Sequence, residues 1–193
     1  VYKTAKGVSF GAAAKRGAGA GMGVRRRNRW HVECYGSDGQ LKWADEIDHN
    51  LVVTAGLNHS ITQHFKGSSY TGASNWFIGL TDGTPTFALA DTMASHAGWT
   101  EVVAYSETYR QTLTLGTVAG GSADNSANKG TYSINSDSTT IGGAFLVYSL
   151  GAGQYPGSAN GTLYGGGAFS AGDKSLDDGD TLNVTVTVSA GTA

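Results

Sequence analysis

The chain has 193 residues, the size of one domain with or without a tail. Its thirty glycines are roughly twice the usual share of about 7% and, with only two prolines, suit many short strands joined by glycine turns. Cys34 is the only cysteine, which excludes an intrachain disulfide and a cysteine-rich zinc site, and no run is long and apolar enough to span a membrane as a helix.

Charge is distributed unevenly. Residues 1–30 hold Lys3, Lys6, Lys15, Arg16, Arg25, Arg26, Arg27 and Arg29 and no acid, whereas all fifteen acids lie in 31–193 with the remaining five basic residues. The N-terminal part therefore carries +8 and the rest −10. Such asymmetry points to a basic tail that reaches an acidic partner. Residues 1–28 read as a flexible basic arm. Its run Gly17-Ala18-Gly19-Ala20-Gly21-Met22-Gly23 offers little to bury and loses much backbone entropy on ordering. Val1–Met22 lacks the continuous apolar stretch of a signal peptide.

The folded domain is expected over 29–193. In Arg29–Tyr35, Trp30, Val32 and Cys34 alternate with polar neighbours, the period of a half-buried strand. Gly36-Ser37-Asp38-Gly39 is a turn signal and Leu41-Lys42-Trp43 resumes the alternation, so the two segments predict a hairpin. Over Thr54–Phe65 the period changes. Leu57, Ile61, His64 and Phe65 fall on one helical face, with Thr54 as a candidate N-cap.

The rest reads as strands: Trp76–Leu80, Trp99–Tyr105, Tyr109–Leu115, Thr131–Ile134, Ile141–Leu150, Thr162–Phe169 and Thr181–Ser189, with a Gly/Ser/Asn-rich loop at 116–130. The last has the cleanest alternation, with Leu182, Val184, Val186 and Val188 on one face. The fold class is thus mainly β: an antiparallel β-sandwich, with jelly-roll connections as one arrangement, one short helix and an extended N-terminal arm.

Candidate chemistry is sparse. His31, His49, His59, His64 and His96 lack ligand spacing; His59 and His64 are five apart, where a helical zinc pair sits four apart. Asp177-Asp178-Gly179-Asp180 begins like a calcium loop but lacks the closing Glu, and reads as an acidic turn. Cys34 reads as a small buried hydrophobe. Glu101 and Glu107 flank one strand without a recognisable cleft. Trp30, Trp43, Trp76 and Trp99 lie in apolar strand patterns and read as core anchors. Residues 17–23 match no nucleotide fingerprint, and no hydrolase elbow occurs. The remaining charge feature is Arg25-Arg26-Arg27 with Arg29. With Lys15 and Arg16 it forms the candidate partner-binding set, since guanidinium groups hold carboxylate or phosphate in a bidentate way.

Several segments carry a resemblance: 28–34 (NRWHVEC), 38–43 (DGQLKW), 50–57 (NLVVTAGL), 78–85 (IGLTDGTP), 90–101 (ADTMASHAGWTE) and 142–145 (GGAF). Together they resemble a family of small structural proteins of tailed bacteriophages and prophages, variously labelled virion, capsid-associated or tail-fibre proteins. The resemblance covers nearly all of 28–193 and brings no catalytic signature. It implies a non-enzymatic virion subunit, assembled in the bacterial host cytoplasm, with no cofactor and no metal. The leading expectation is a capsid decoration or cement protein anchored by its arm; alternatives are a tail or head–tail component, or a fibre-tip module binding host glycans. Expected partners are the major capsid protein or other virion subunits and further copies of the chain, a trimer for example, with nucleic acid as the alternative partner of the arm.

Overall fold

The computed structural model describes residues 24–66 and 75–192. In chain order the strands are β1 (Val24–Tyr35), β2 (Leu41–Ile47), β3 (Asn50–Val52), β4 (Trp76–Thr81), β5 (Glu101–Val102), β6 (Gln111–Thr112), β7 (Ser122–Asp124), β8 (Gly130–Ser133), β9 (Thr139–Ile141), β10 (Gly143–Tyr148), β11 (Thr162–Ala168), β12 (Lys174–Leu176) and β13 (Thr181–Thr192). One helix, α1 (Thr54–Ile61), runs on into a π-helical turn, Thr62–Lys66.

Two antiparallel sheets form a sandwich. The first has the order β2-β1-β13, with β8 and β7 end to end on the far side of β13, opposite Thr181–Val184 and Thr187–Ser189. The second has the order β3-β11-β10-β4, with β5 and β6 both on the outer side of β4. β9 and β12 make a separate two-stranded ribbon.

Trp30, Val32 and Cys34 from β1 and Leu182, Val184 and Val186 from β13 pack against Ile78, Leu80, Ala144 and Leu146 of the second sheet. All are buried, and each such aliphatic side chain contributes about 1.5–3 kcal/mol. The far face of the second sheet is covered too. There Phe77, Phe145, Val147 and Leu163 meet Val53, Met93 and Trp99. Burial on both faces explains why Trp76–Leu80 and 143–148 read as continuous apolar runs, while β1 and β13, solvated on one face, alternate. Gly79, directly across from Phe145, leaves the space its ring occupies.

The hairpin of β1 and β2 forms as expected, closed by Gly36 and by Gly39 at φ +76°. Three expectations need correction. The strand boundary is the first. β1 starts at Val24, so residues 24–28 of the expected arm belong to the sandwich, where they pair with Val188–Thr192 of β13. The partner strand is longer than its apolar alternation suggested, and a β-ladder accepts any side chain on a solvated face.

The helix is the second. It covers the expected Thr54–Phe65 only together with the π-helical turn, its buried positions are Gly56 and Ser60, and Leu57, Ile61 and Phe65 are exposed. Gly56 lies so close to the Tyr164 backbone that a side chain there would collide with the carbonyl. Thr54 does not cap the helix. Val53 is the N-cap, and the Val53 and Thr54 amides donate to Tyr164 and Leu89 carbonyls, tertiary partners that replace a side-chain cap.

The third concerns the middle of the chain. Trp99–Tyr105 and Tyr109–Leu115 contribute only the two-residue strands β5 and β6; Ile141–Leu150 divides at Gly142; and loop 116–130 contains β7. Arg110, the second residue of Tyr109–Leu115, is fully buried and binds Glu101 through two hydrogen bonds of 2.7 and 2.6 Å, besides the carbonyls of Gly153 and Ser158. That side chain ties Tyr109–Leu115 to β5 and to the 150–160 loop.

Candidate functional site

The period of two in β1 divides the arginine cluster. Arg26 shares the inward register with Asn28 and Trp30, whereas Arg27 and Arg29 are exposed on the outer face of the first sheet. Arg25 pairs through its backbone position with Gly191. Lys15 and Arg16 lie outside the described residues. The candidate arginine set is therefore divided, with Arg26 on one side of the strand and Arg27 and Arg29 on the other, because neighbouring side chains on a strand cannot point the same way.

The outer face carries a row of ionic contacts. Arg29 meets Asp48 at 3.5 Å, His31 lies 2.6 Å from Glu46 and 3.8 Å from Glu33, and Lys129 donates to Glu33 at 2.6 Å. The Lys129 hydrogen bond outweighs desolvation and holds the Glu33 carboxyl below its ordinary pKa. Arg27 has no ion pair among the described residues.

Arg26 and Asn28 instead lead into a cleft of about 240 Å³ between the two sheets. Leu113, Leu115, Leu146, Val188, Trp76 and Tyr164 make its walls predominantly apolar; Ser60, Gln63, His59 and His64 close one side. α1 and the π-helical turn deliver those last residues, with the small face of α1 packed on β11. Asn28 is 2% exposed, and neither its Nδ2 nor its Oδ1 has a hydrogen-bond partner among the described residues. His59 Nε2 is likewise buried without one. Burial lowers the His59 pKa, which favours the neutral imidazole, and the ring packs on Tyr148 at 4.4 Å and edge-on to Trp76 at 5.4 Å. His64 Nδ1 lies 2.7 Å from the Ser60 carbonyl and so carries the proton; the Arg26 guanidinium 3.5 Å from that same nitrogen is a contact at the mouth rather than a bond.

The other candidate residues have structural partners. Cys34 is fully buried with Sγ 3.7 Å from Asp180, and burial together with the Asp180 charge pushes its thiol up to about 12. The turn Asp177–Asp180 closes on itself, with Gly179 at φ +85°. Buried Asp180 accepts from Lys42 at 2.7 Å and from the Asp177 amide at 2.9 Å. Desolvation raises its pKa, but those hydrogen bonds prevail and the net shift is downward. Both Glu101 oxygens bind Arg110, and one also accepts the Gly157 amide; Glu107 accepts the Ser133 amide. His96 stacks on Trp99 at 3.6 Å. Trp30 and Trp99 are buried, and Trp43 and Trp76 pack against the core. Among the described residues no group of three or more His, Cys, Asp or Glu is placed to hold a metal.

Comparison with family models, curated proteins and solved structures finds no match. The cleft was missed in the sequence because its walls come from segments far apart in the chain. One signal was present: Asn28 is a polar residue on the inward register of Trp30, Val32 and Cys34.

Proposed function

We propose that the chain is a structural subunit of a tailed-phage particle, a capsid decoration or cement protein held to its neighbours through its basic N-terminal region. The observation that carries this reading is Arg27, exposed and without a counter-ion among the described residues, on the strand that residues 1–23 lead into. Together with Arg29 it offers guanidinium groups from a fixed backbone to carboxylates or phosphates on a partner. The charge contrast between residues 1–30 and 31–193 favours contact between one subunit's N-terminal region and the acidic surface of the next. The partners in this reading are the major capsid protein and further copies of the chain, and the location is the virion.

The test is made on purified particles of the phage that encodes the chain, by quantitative mass spectrometry and cryo-electron microscopy. A decoration protein is present in proportion to the capsid lattice, with density outside the shell; a copy number of a few per particle marks a tail or head–tail component instead. Absence from particles refutes the reading. Replacing Arg27 and Arg29 by Gln weakens attachment and flattens its salt dependence, since those contacts are screened by salt.

A further inference from the structure

We infer that the cleft beside Asn28 is a recognition pocket for an extended peptide, taking one large apolar side chain together with the backbone edge of its residue. The cleft has the same chemistry whichever assembly the chain serves.

The argument starts from the orphaned carboxamide. Asn28 is 2% exposed, and both polar atoms of its side chain lie buried without a partner among the described residues. A buried amide in that condition is costly, and any apolar residue would fill the register more cheaply. A carboxamide presents one donor and one acceptor side by side. A residue in an extended chain presents its own N–H and C=O on one edge, the pair exchanged between opposed residues in an antiparallel ladder. The two match donor to acceptor. A carboxylate would leave the Asn28 oxygen unsatisfied, and a hydrocarbon would leave both atoms so.

The walls select the rest of the ligand. Trp76, Tyr164, Leu113 and Leu146 make the cleft chiefly apolar, and its volume of about 240 Å³ exceeds the roughly 150 Å³ of a cavity that holds benzene. A phenyl-sized side chain with a few backbone atoms fits that space. Arg26 at the mouth adds a preference for an acidic residue next to the anchor.

The test uses the full chain, isotope-labelled, and follows the Asn28 carboxamide and Trp76 indole signals by NMR. The probes are N-acetyl-phenylalaninamide, N-acetyl-glycinamide and adenosine, each raised to about 10 mM, above the millimolar Kd expected of so few atoms, and toluene at saturation. N-acetyl-phenylalaninamide is expected to shift both signals saturably, toluene to shift Trp76 alone, and N-acetyl-glycinamide to shift neither. Asn28→Leu weakens the phenylalaninamide at least tenfold and leaves toluene unchanged. Leu115→Trp, at a half-buried wall position, blocks both and serves if Asn28→Leu does not fold. The inference is overturned if no probe shifts either signal, leaving water as the partner of Asn28. It is equally overturned if Asn28→Leu binds N-acetyl-phenylalaninamide as well as the parent, or if adenosine binds and the phenylalaninamide does not.

Discussion

Removing the Lys42 ammonium strands Asp180 as a buried charge beside the Cys34 thiol. Lys42→Met is expected to cost about 3 kcal/mol in urea denaturation, the low end for breaking a buried pair because the Lys42 side chain keeps 33% of its surface in water. The pH dependence follows from the direction of the shift. The folded-state pKa of Asp180 is depressed, so its contribution is complete above the ordinary aspartate value near 3.9 and is lost as pH falls through the lower folded value. The gap between parent and Lys42→Met therefore narrows below about pH 4; a gap that stays constant into acid contradicts the pairing. At this scale the sequence was legible for Cys34, whose place in the alternation with Trp30 and Val32 marked it as buried, and for the acidic turn. The partner of Asp180 was not legible, because Lys42 lies 138 positions away in the chain and the β1–β2 and β1–β13 pairings together bring the two side by side.

The helix tests propensity against packing. Ala outranks Gly by about 1 kcal/mol within a helix, yet Gly56→Ala is expected to lower the melting temperature, because the methyl group meets the Tyr164 carbonyl. A rise in melting temperature would mean that α1 does not sit that close to β11. The 3.6-residue period over Thr54–Phe65 located the helix and left open which face is buried. Periodicity shows that Leu57, Ile61 and Phe65 share a side; it does not show which side meets the domain, and close approach to a sheet selects small residues. The strands divide by the same logic. Alternation in β1 and β13 identified the inward residues, but nothing in Val24–Asn28 announces a strand until β13 is there to pair with it. A chain beginning at Val24 is accordingly expected to fold, and one beginning at Arg29 to melt at a lower temperature, having lost five positions of the ladder. Equal melting temperatures would return the boundary to Asn28. Short strands such as β7, set in a Gly/Ser/Asn-rich segment, were invisible for the same reason: their partner, not their composition, makes them strands.

For the whole molecule, the long strands β1, β13, β10, β11 and β4 occupy the interior of the sheets, and apart from β2 the edges consist of strands of two to four residues. Short edges resist edge-to-edge pairing, so association is expected through side-chain surfaces instead. The exposed stripe Leu57, Ile61 and Phe65 is the first to test. Replacing all three by Ser should change stability by less than about 0.5 kcal/mol per site and shift sedimentation toward the monomer. A distribution unchanged by the triple variant would place the contact elsewhere. The ladder between β1 and β13 has a mechanical consequence. Its hydrogen bonds lie across the strands, so a tension entering at Val24 along the strand axis loads many of them at once, with β2 sharing the strain through Trp30–Tyr35. Val24 and Thr192 are opposite partners at one end of that ladder, so drawing these two residues apart would part the strands one pair at a time. The same twelve pairs thus make a strong mooring for a rope on either strand and a weak seam between the two.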